Sequence, residues 1–129
     1  MFSTSPRRNT TFFSLRAVYN AGKGAKQMTT GFKNGTLSVY LKGEIDHHRA
    51  AEIRTEIDDA VRAYIPEKLV LDFGGVTFCD SSGIAVVTGR RKLMRSVGGE
   101  VELTNLTRPV EAVFRMANLE KIVTIRRDR

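Results

Sequence analysis

The stretch Lys68–Gly99, KLVLDFGGVTFCDSSGIAVVTGRRKLMRSVGG, decides the fold of this chain. Its opening run, Leu69–Phe73, has the length and bulk of a strand that is buried on both faces. We expect a turn at Gly74–Gly75 and then a short apolar piece at Val76–Phe78. The residues that follow, Cys79–Gly83, carry an acid, two hydroxyls and a glycine. They form a loop between a central strand and a helix, where α/β folds collect ligands and chemistry.

The helix after this loop is predicted to run from Ser82 to Val97, with Gly98–Gly99 as a flexible C-cap. Its second half is basic, which complements the negative end of the helix dipole. We interpret these side chains as a solvated face, because charge runs on helices are most often exposed. They are Arg90, Arg91, Lys92 and Arg95.

Upstream, the pattern predicts a hairpin, a strand and a first helix. Asn34–Gly35 is a strong hairpin signal, and apolar residues alternate with polar ones over Leu37–Leu41. Gly43–His48 is expected to form a loop, in which Asp46 is the N-cap of the helix that Pro66 later ends. The apolar stripe of this helix consists of Ile53, Ile57, Ala60, Val61 and Tyr64.

Downstream, the pattern predicts a strand at Val101–Leu103, a helix that starts at Thr107–Pro109, and a last strand at Ile122–Ile125. Asn118 is expected to be a left-handed cap at the end of that helix, with Leu119 folded back onto it. The predicted order is β-β-α-β-α-β-α-β. This alternation predicts a single α/β domain with right-handed crossovers and helices packed on a mostly parallel central sheet.

Length and composition narrow the class of protein. A chain of 129 residues with 41% hydrophobic residues suits a single domain with its own core. One cysteine excludes an intramolecular disulfide and is typical of a reducing compartment. No apolar run approaches the roughly 20 residues of a membrane span. We therefore expect a cytoplasmic protein without a membrane partner, and nothing in the sequence demands more than a monomer.

The formal net charge of +7 is concentrated at the N-terminus. Residues 1–27 contain basic residues and no acidic one, whereas residues 28–129, which we assign to the folded domain, are close to balanced. Because no basic face with interleaved aromatic residues is evident, we expect no direct nucleic-acid partner. Residues 1–27 have three interpretations: a disordered extension, a targeting segment, or a misassigned start. We favour the last, with Met28 as the true first residue.

Ser81 and Ser82 allow three roles: helix cap, nucleophile or phosphoacceptor. From the residues alone, a cap for the helix that follows is the commonest role for serine at such a position. A nucleophile would need a base, which His47 or His48 could supply if the two loops meet. The sequence CDSSG is not the G-x-S-x-G elbow of hydrolases, which argues against a serine triad.

The other reactive residues have simpler interpretations. Cys79 is expected to be a buried structural thiol, because the carboxylate of Asp80 raises a thiol pKa rather than lowering it. His47 and His48 are adjacent on a helix, so their side chains point in different directions, and no ligand spacing supports a metal site. Glu44 joins Asp46 and Asp80 in an acidic group that we interpret as a solvated surface.

Two motifs of this sequence resemble the signatures of the STAS domain, and in particular those of the anti-sigma factor antagonists of spore-forming bacteria. They are GEIDHH at Gly43–His48 and VTFCDSSGIAVVTGRRK at Val76–Lys92. The resemblance covers about residues 28–125. DSSG after an apolar strand is a fairly specific signal, and its combination with GEIDHH is a strong one.

The resemblance implies a partner switch and no catalytic role for the protein itself. In this family the unphosphorylated antagonist binds an anti-sigma factor that is also an ATP-dependent serine kinase, and a sporulation-type sigma factor is released. The kinase phosphorylates the first serine of DSSG, here Ser81, and a metal-dependent phosphatase reverses the reaction. ATP belongs to the kinase, so no cofactor is expected here. The implied partner-binding residues are Asp46, His47, Asp80, Ser81, Ser82 and Gly83.

Two alternatives stay open at this point. A STAS scaffold module, in a stress-sensing or lipid-transport assembly, would have no serine switch. A small hydrolase would use Cys79, Ser81 and His47. Replacement of Ser81 by alanine separates the three, since it removes phosphorylation from an antagonist and turnover from a hydrolase.

Overall fold

The computed structural model describes residues 16–18 and 28–127. Its strands are β1 (Arg16–Val18), β2 (Met28–Lys33), β3 (Thr36–Ile45), β4 (Lys68–Cys79), β5 (Glu100–Thr104) and β6 (Thr124–Arg126). Its helices are α1 (His47–Tyr64), α2 (Ser82–Ser96) and α3 (Arg108–Met116), with a 3-10 turn at Leu119–Lys121. From β2 onward this is the predicted β-β-α-β-α-β-α-β order.

The strands form one sheet in chain order, from β1 to β6. β2 pairs antiparallel with β1 and β3, whereas the β3–β4, β4–β5 and β5–β6 pairs are parallel. The prediction of an α/β domain with a mostly parallel sheet is therefore confirmed. Right-handed crossovers that advance in one direction along a sheet leave their helices on the same face.

One face of the sheet is apolar and carries the helices. Rows such as Phe32–Leu37–Leu69–Val101 cross four strands in register and are buried. The opposite face is polar, with the row Thr29–Tyr40–Asp72–Thr104–Arg126 across five strands. The predicted burial of β4 on both faces is wrong, because Val70 lies on the polar face and is only half-buried.

β4 is longer than predicted. Gly74–Gly75 is not a turn, since β4 continues from Lys68 to Cys79 and absorbs the glycines as a register shift against β3. A Cβ at Gly75 would lie 2.6 Å from the Cβ of Lys42, so only glycine permits this approach. The predicted loop at Gly43–His48 is also wrong except at Asp46, because β3 extends to Ile45 beside β4 and α1 begins at His47.

Aromatic contacts fix two helices on the apolar face. Phe32 of β2 stacks on Tyr64 of α1 with ring centroids 4.7 Å apart. Phe73 of β4 meets Phe114 of α3 edge-to-face at 5.2 Å. The predicted turns at the chain reversals are confirmed in backbone conformation, with positive φ at Asn34 (51°) and Asn118 (56°). Such geometry suits asparagine, which tolerates the left-handed region.

Part of the predicted N-terminal extension takes part in the sheet. Arg16–Val18 forms the edge strand β1 beside β2, and the rest of residues 1–27 lies outside the described residues. The interpretation of that segment therefore stays a prediction. Within the described part of the chain, no helix has both the length and the apolarity to cross a membrane.

Candidate functional site

Parallel pairing brings the two predicted loops together at one edge of the sheet. β3 and β4 stay paired, across two register shifts, up to the pair Ile45–Cys79, and the next residues are Asp46 and Asp80. The backbone N–H of Asp80 donates to the carbonyl of Ile45 at 3.2 Å. Because both strands stop at the same level, α1 and α2 start side by side. Their N-termini, with free backbone N–H groups and positive dipole ends, define the candidate site.

The start of α1 is capped by Asp46, as predicted. Asp46 has extended backbone angles, and its Oδ1 accepts from the backbone N–H of Arg49 at 2.8 Å. That hydrogen bond to the charged carboxylate is the main reason why the pKa of Asp46 lies below its ordinary value. The carboxylate is exposed and carries its full charge at neutral pH.

The start of α2 is built differently. Ser81 occupies the cap position, but its backbone is helical (φ −64°, ψ −14°) and its hydroxyl makes no capping hydrogen bond. Asp80 takes over this task, since its Oδ1 accepts from the backbone N–H of Ser82 at 2.8 Å. The prediction that a serine caps this helix is therefore wrong. The consequence is that the Ser81 hydroxyl is exposed at a helix N-terminus and is not used to hold the helix.

Ser82 and His47 connect the two helix starts. The Ser82 hydroxyl lies 3.5 Å from Nδ1 of His47 in the first turn of α1. His48 points elsewhere, with its Nε2 3.7 Å from Glu52 on its own helix. The predicted divergence of the two imidazoles is thus confirmed, and the loops do meet. The serine that faces the imidazole is Ser82, however, and not the exposed Ser81.

Gly83 lets α2 approach β4 closely. A Cβ at Gly83 would overlap the Sγ of Cys79, and it would lie 3.5 Å from the Cε1 of Phe114. Cys79 is 2% exposed, and burial raises the pKa of its thiol to about 11, with a further contribution from Asp80. The predicted structural thiol is confirmed. At neutral pH it is protonated and has little nucleophilic character.

The arrangement offers little support for other chemistries. Among the described residues, no three His, Cys, Asp or Glu side chains are placed to hold a metal ion. A hydrolase built on Cys79 would need a thiolate in a site that strongly favours the thiol. What the site does present is an exposed hydroxyl, that of Ser81, at the start of α2, where Asp80 is the cap, beside the start of α1, where Asp46 is the cap.

One residue of this helix pair was misjudged from the sequence. Arg90 was predicted to be solvated, yet it is 7% exposed and lies between α2 and α1. Its Nε is 2.8 Å from Oδ1 of Asp58 on α1. No signal in the sequence pairs these two helices. Asp58 lies next to α2 only because both helices pack on the same apolar face of the sheet. It is eleven residues, or about three turns, after His47 on α1.

Comparison with known proteins identifies the domain. Residues 27–129 match the STAS domain. The chain is 38% identical over 91 residues to the anti-sigma F factor antagonist of Paenibacillus polymyxa, which is 70% of this chain and 78% of that protein.

Solved structures show the same fold. The unphosphorylated form of the anti-sigma factor antagonist SpoIIAA superposes with a TM-score of 0.64 at 27% identity, over 88% of this chain and 87% of that one. The phosphorylated form of the Bacillus cell fate determinant SpoIIAA gives 0.57 at 26% identity, over 88% and 90%. The chain belongs to the STAS domain family.

Proposed function

We propose that this protein is an anti-sigma factor antagonist that is switched by phosphorylation of Ser81. In its unphosphorylated form it binds an anti-sigma factor that is also a serine kinase, and a sporulation-type sigma factor is released. The kinase uses its own ATP to phosphorylate Ser81, and a metal-dependent phosphatase restores the hydroxyl. The protein acts in the cytoplasm as a regulatory binding partner and substrate, and not as an enzyme.

The observation that carries this proposal is the Ser81 hydroxyl, which is exposed and takes no part in capping α2. A kinase can reach this oxygen, and modification breaks no hydrogen bond that the helix needs. The relative named anti-sigma F factor antagonist and the solved phosphorylated and unphosphorylated forms of SpoIIAA support the same assignment.

The charges around Ser81 supply a physical reason for the switch. A phosphoserine adds about −1.5 to −2 charges. The free domain accommodates that charge at the N-terminus of α2, because the helix dipole favours an anion there. In a complex, the same phosphate lies beside Asp80 and Asp46 in a space with little water. Repulsion and desolvation then weaken binding, on the order of 10²-fold.

Six residues form the proposed contact surface at the two helix starts. Ser81 is the phosphate acceptor. Asp80 and Asp46 give the surface around it a negative charge, and the contact between Ser82 and His47 joins the two helices. Gly83 keeps the loop close to β4, so that the turn presents Ser81 outward. This surface needs no rearrangement of the fold, because Asp46 and Asp80 already cap the two helix starts within the domain.

The test is a binding measurement with the partner kinase, with and without ATP. The parent protein should bind without ATP and lose affinity after incubation with ATP. The Ser81→Ala variant should bind equally under both conditions. Ser81→Asp should bind about tenfold or more weakly without ATP, since it carries part of the phosphate charge. A Ser81→Asp variant that binds as tightly as the parent would overturn the electrostatic account of the switch.

A further inference from the structure

A large aromatic side chain lies exposed beside the candidate site. Phe78 of β4 is 47% exposed. It pairs in register with Glu44 of β3, and the next pair, Ile45–Cys79, is buried on the apolar face. Because side chains alternate along a strand, Phe78 and Glu44 point to the polar face. The ring of Phe78 therefore projects from the side of the sheet opposite to α1 and α2.

Its position distinguishes Phe78 from the other exposed hydrophobic side chains of the described residues. Single side chains of this kind are ordinary on protein surfaces. Four of them end or follow a helix or precede β6, and so lie at the edge where the parallel strands begin: Ile65, Val97, Met116 and Ile122. Tyr40 lies within β3. Phe78 is the one at the opposite edge, where Ser81 also lies.

Phe78 is close enough to Ser81 to share one interface with it. Ser81 comes three residues after Phe78, so their Cα atoms are at most about 11 Å apart. A stable protein–protein interface buries about 800 Å² on each partner, which corresponds to a disc of about 16 Å radius. A kinase whose interface of this size is centred on the Ser81 hydroxyl therefore also covers Phe78. Aromatic side chains that become buried in this way are frequent binding hot spots.

We propose that Phe78 anchors the anti-sigma kinase by inserting its ring into an apolar pocket of that protein, beside the site that receives Ser81. The inference rests on the proposed function, and it extends the contact surface from the two helix starts to the polar face of the sheet. Burial of the ring supplies affinity that does not depend on the charge at Ser81. Binding and release are thus divided between two residues, since Phe78 holds the partner and Ser81 carries the charge that expels it.

Removal of the ring tests this contact against a matched control. Phe78→Ser should bind the kinase without ATP tenfold or more weakly than the parent, and Phe78→Leu, which keeps apolar bulk, should recover part of the loss. Tyr40→Ser removes a ring that is 45% exposed on the same face. Tyr40 pairs with Asp72, about 20 Å from Phe78 along β4, so this variant should stay within about twofold of the parent. Circular dichroism and thermal melting establish that each variant is folded.

A fluorescent side chain reports the surroundings of this position directly. The sequence contains no tryptophan, so Phe78→Trp introduces a single one. After subtraction of the kinase's own emission, the fluorescence of Phe78→Trp should shift to shorter wavelength when the kinase is added, because the ring leaves water. Tyr40→Trp should show no shift under the same conditions.

The outcomes separate this inference from the proposed function. Parent-like binding by Phe78→Ser, an equal loss in Tyr40→Ser, or an unshifted emission of Phe78→Trp would overturn the anchoring proposal alone, since the parent would still bind and be phosphorylated. Light scattering that shows a dimeric parent and a monomeric Phe78→Ser would overturn it too, because a second copy would then cover the ring. A parent protein that neither binds the kinase nor is phosphorylated by it would overturn the proposed function, and the anchoring proposal with it.

Discussion

The starts of α1 and α2 lie next to each other, yet their caps are built differently. At α1 the residue in the cap position, Asp46, uses its own carboxylate to hold the backbone of Arg49. At α2 the residue in the cap position, Ser81, makes no such bond, and Asp80 holds Ser82 instead. The two helices solve the same problem of unpaired N–H groups with a carboxylate in each case. The difference is which residue is left over.

This difference explains how a serine can be a switch inside a rigid fold. If the Ser81 hydroxyl were the cap, phosphorylation would replace the acceptor on which the helix depends with a larger phosphate group and would alter the cap. Because Asp80 does this work, the Ser81 hydroxyl can be modified without a change in the helix. An aspartate side chain caps each helix start. Only the start of α2 also has a hydroxyl, that of Ser81, that makes no capping hydrogen bond.

The largest expected effect comes from the packing beneath α2, which α1 does not share. Gly83→Ala should destabilise the domain by about 2 kcal/mol, because the added methyl overlaps Cys79 Sγ. Chemical denaturation measures the change. The double variant Cys79→Ala/Gly83→Ala removes the obstructing sulfur, so it should recover a large part of the loss relative to Cys79→Ala alone. Strictly additive losses would contradict the proposed contact.

The caps themselves give the next effect. Asp80→Ala should lower the free energy of unfolding by about 1 kcal/mol, since it leaves the N–H of Ser82 without its acceptor. Ser81→Ala should change it by no more than about 0.5 kcal/mol, because no capping bond is lost. Urea unfolding of the two variants checks the ranking. A larger loss for Ser81→Ala would mean that the serine is the cap after all.

The raised pKa of the Cys79 thiol, next to the start of α2, predicts that the free energy of unfolding depends on pH. The unfolded thiol ionises near its ordinary pKa of 9.0, whereas the folded thiol keeps its proton up to about 11. The folded state then binds more protons in this window, so the free energy of unfolding falls as the pH rises. Between about pH 9 and pH 10 the thiol contributes a loss of about 1 kcal/mol.

Comparison with Cys79→Ala isolates this contribution from the titration of lysines. The difference in unfolding free energy between parent and variant should shrink by that amount over the same window. A thiol reagent should also label the folded protein slowly at neutral pH and the unfolded protein at its single cysteine. Rapid labelling of the folded protein would show that the thiol is accessible.

The smallest expected effect concerns the bridge between the two helix starts. His47→Ala removes the contact with the Ser82 hydroxyl and should weaken kinase binding about twofold to threefold, with little change in stability. His48→Ala is the matched control, because His48 faces Glu52 on its own helix, and it should bind like the parent. Calorimetric titration distinguishes the two. An equal or larger loss for His48→Ala would place the contact surface elsewhere.

Sequence reasoning worked where local chemistry decides the outcome. Strand–helix alternation, the Asn34–Gly35 hairpin and the cap at Asp46 depend on residues close in sequence, and the structure confirms each of them. The protonated, buried thiol of Cys79 was inferred from its neighbour Asp80, whose carboxylate disfavours the thiolate, and the structure confirms it.

It failed where distant segments decide. The apolar run of β4 does not reveal that helices cover only one face of the sheet, so Val70 was expected to be buried. Gly74–Gly75 looks the same as a turn or as a register shift until β3 is placed beside it. Asp80 and Ser81 are both good capping residues, and only the helical backbone of Ser81 decides between them. Arg90 is buried because a second helix, and Asp58 on it, happens to lie opposite.

The most direct test of the central claim is phosphosite mapping after incubation of the purified protein with the partner kinase and ATP. Intact mass and peptide mapping should show one phosphate, on Ser81, in the parent and in Ser82→Ala. Ser81→Ala should take up none, although Ser82 is present and faces His47. A phosphate on Ser82, or an unchanged level of phosphorylation in Ser81→Ala, would contradict the view that the second helix start leaves one serine free to act as the switch.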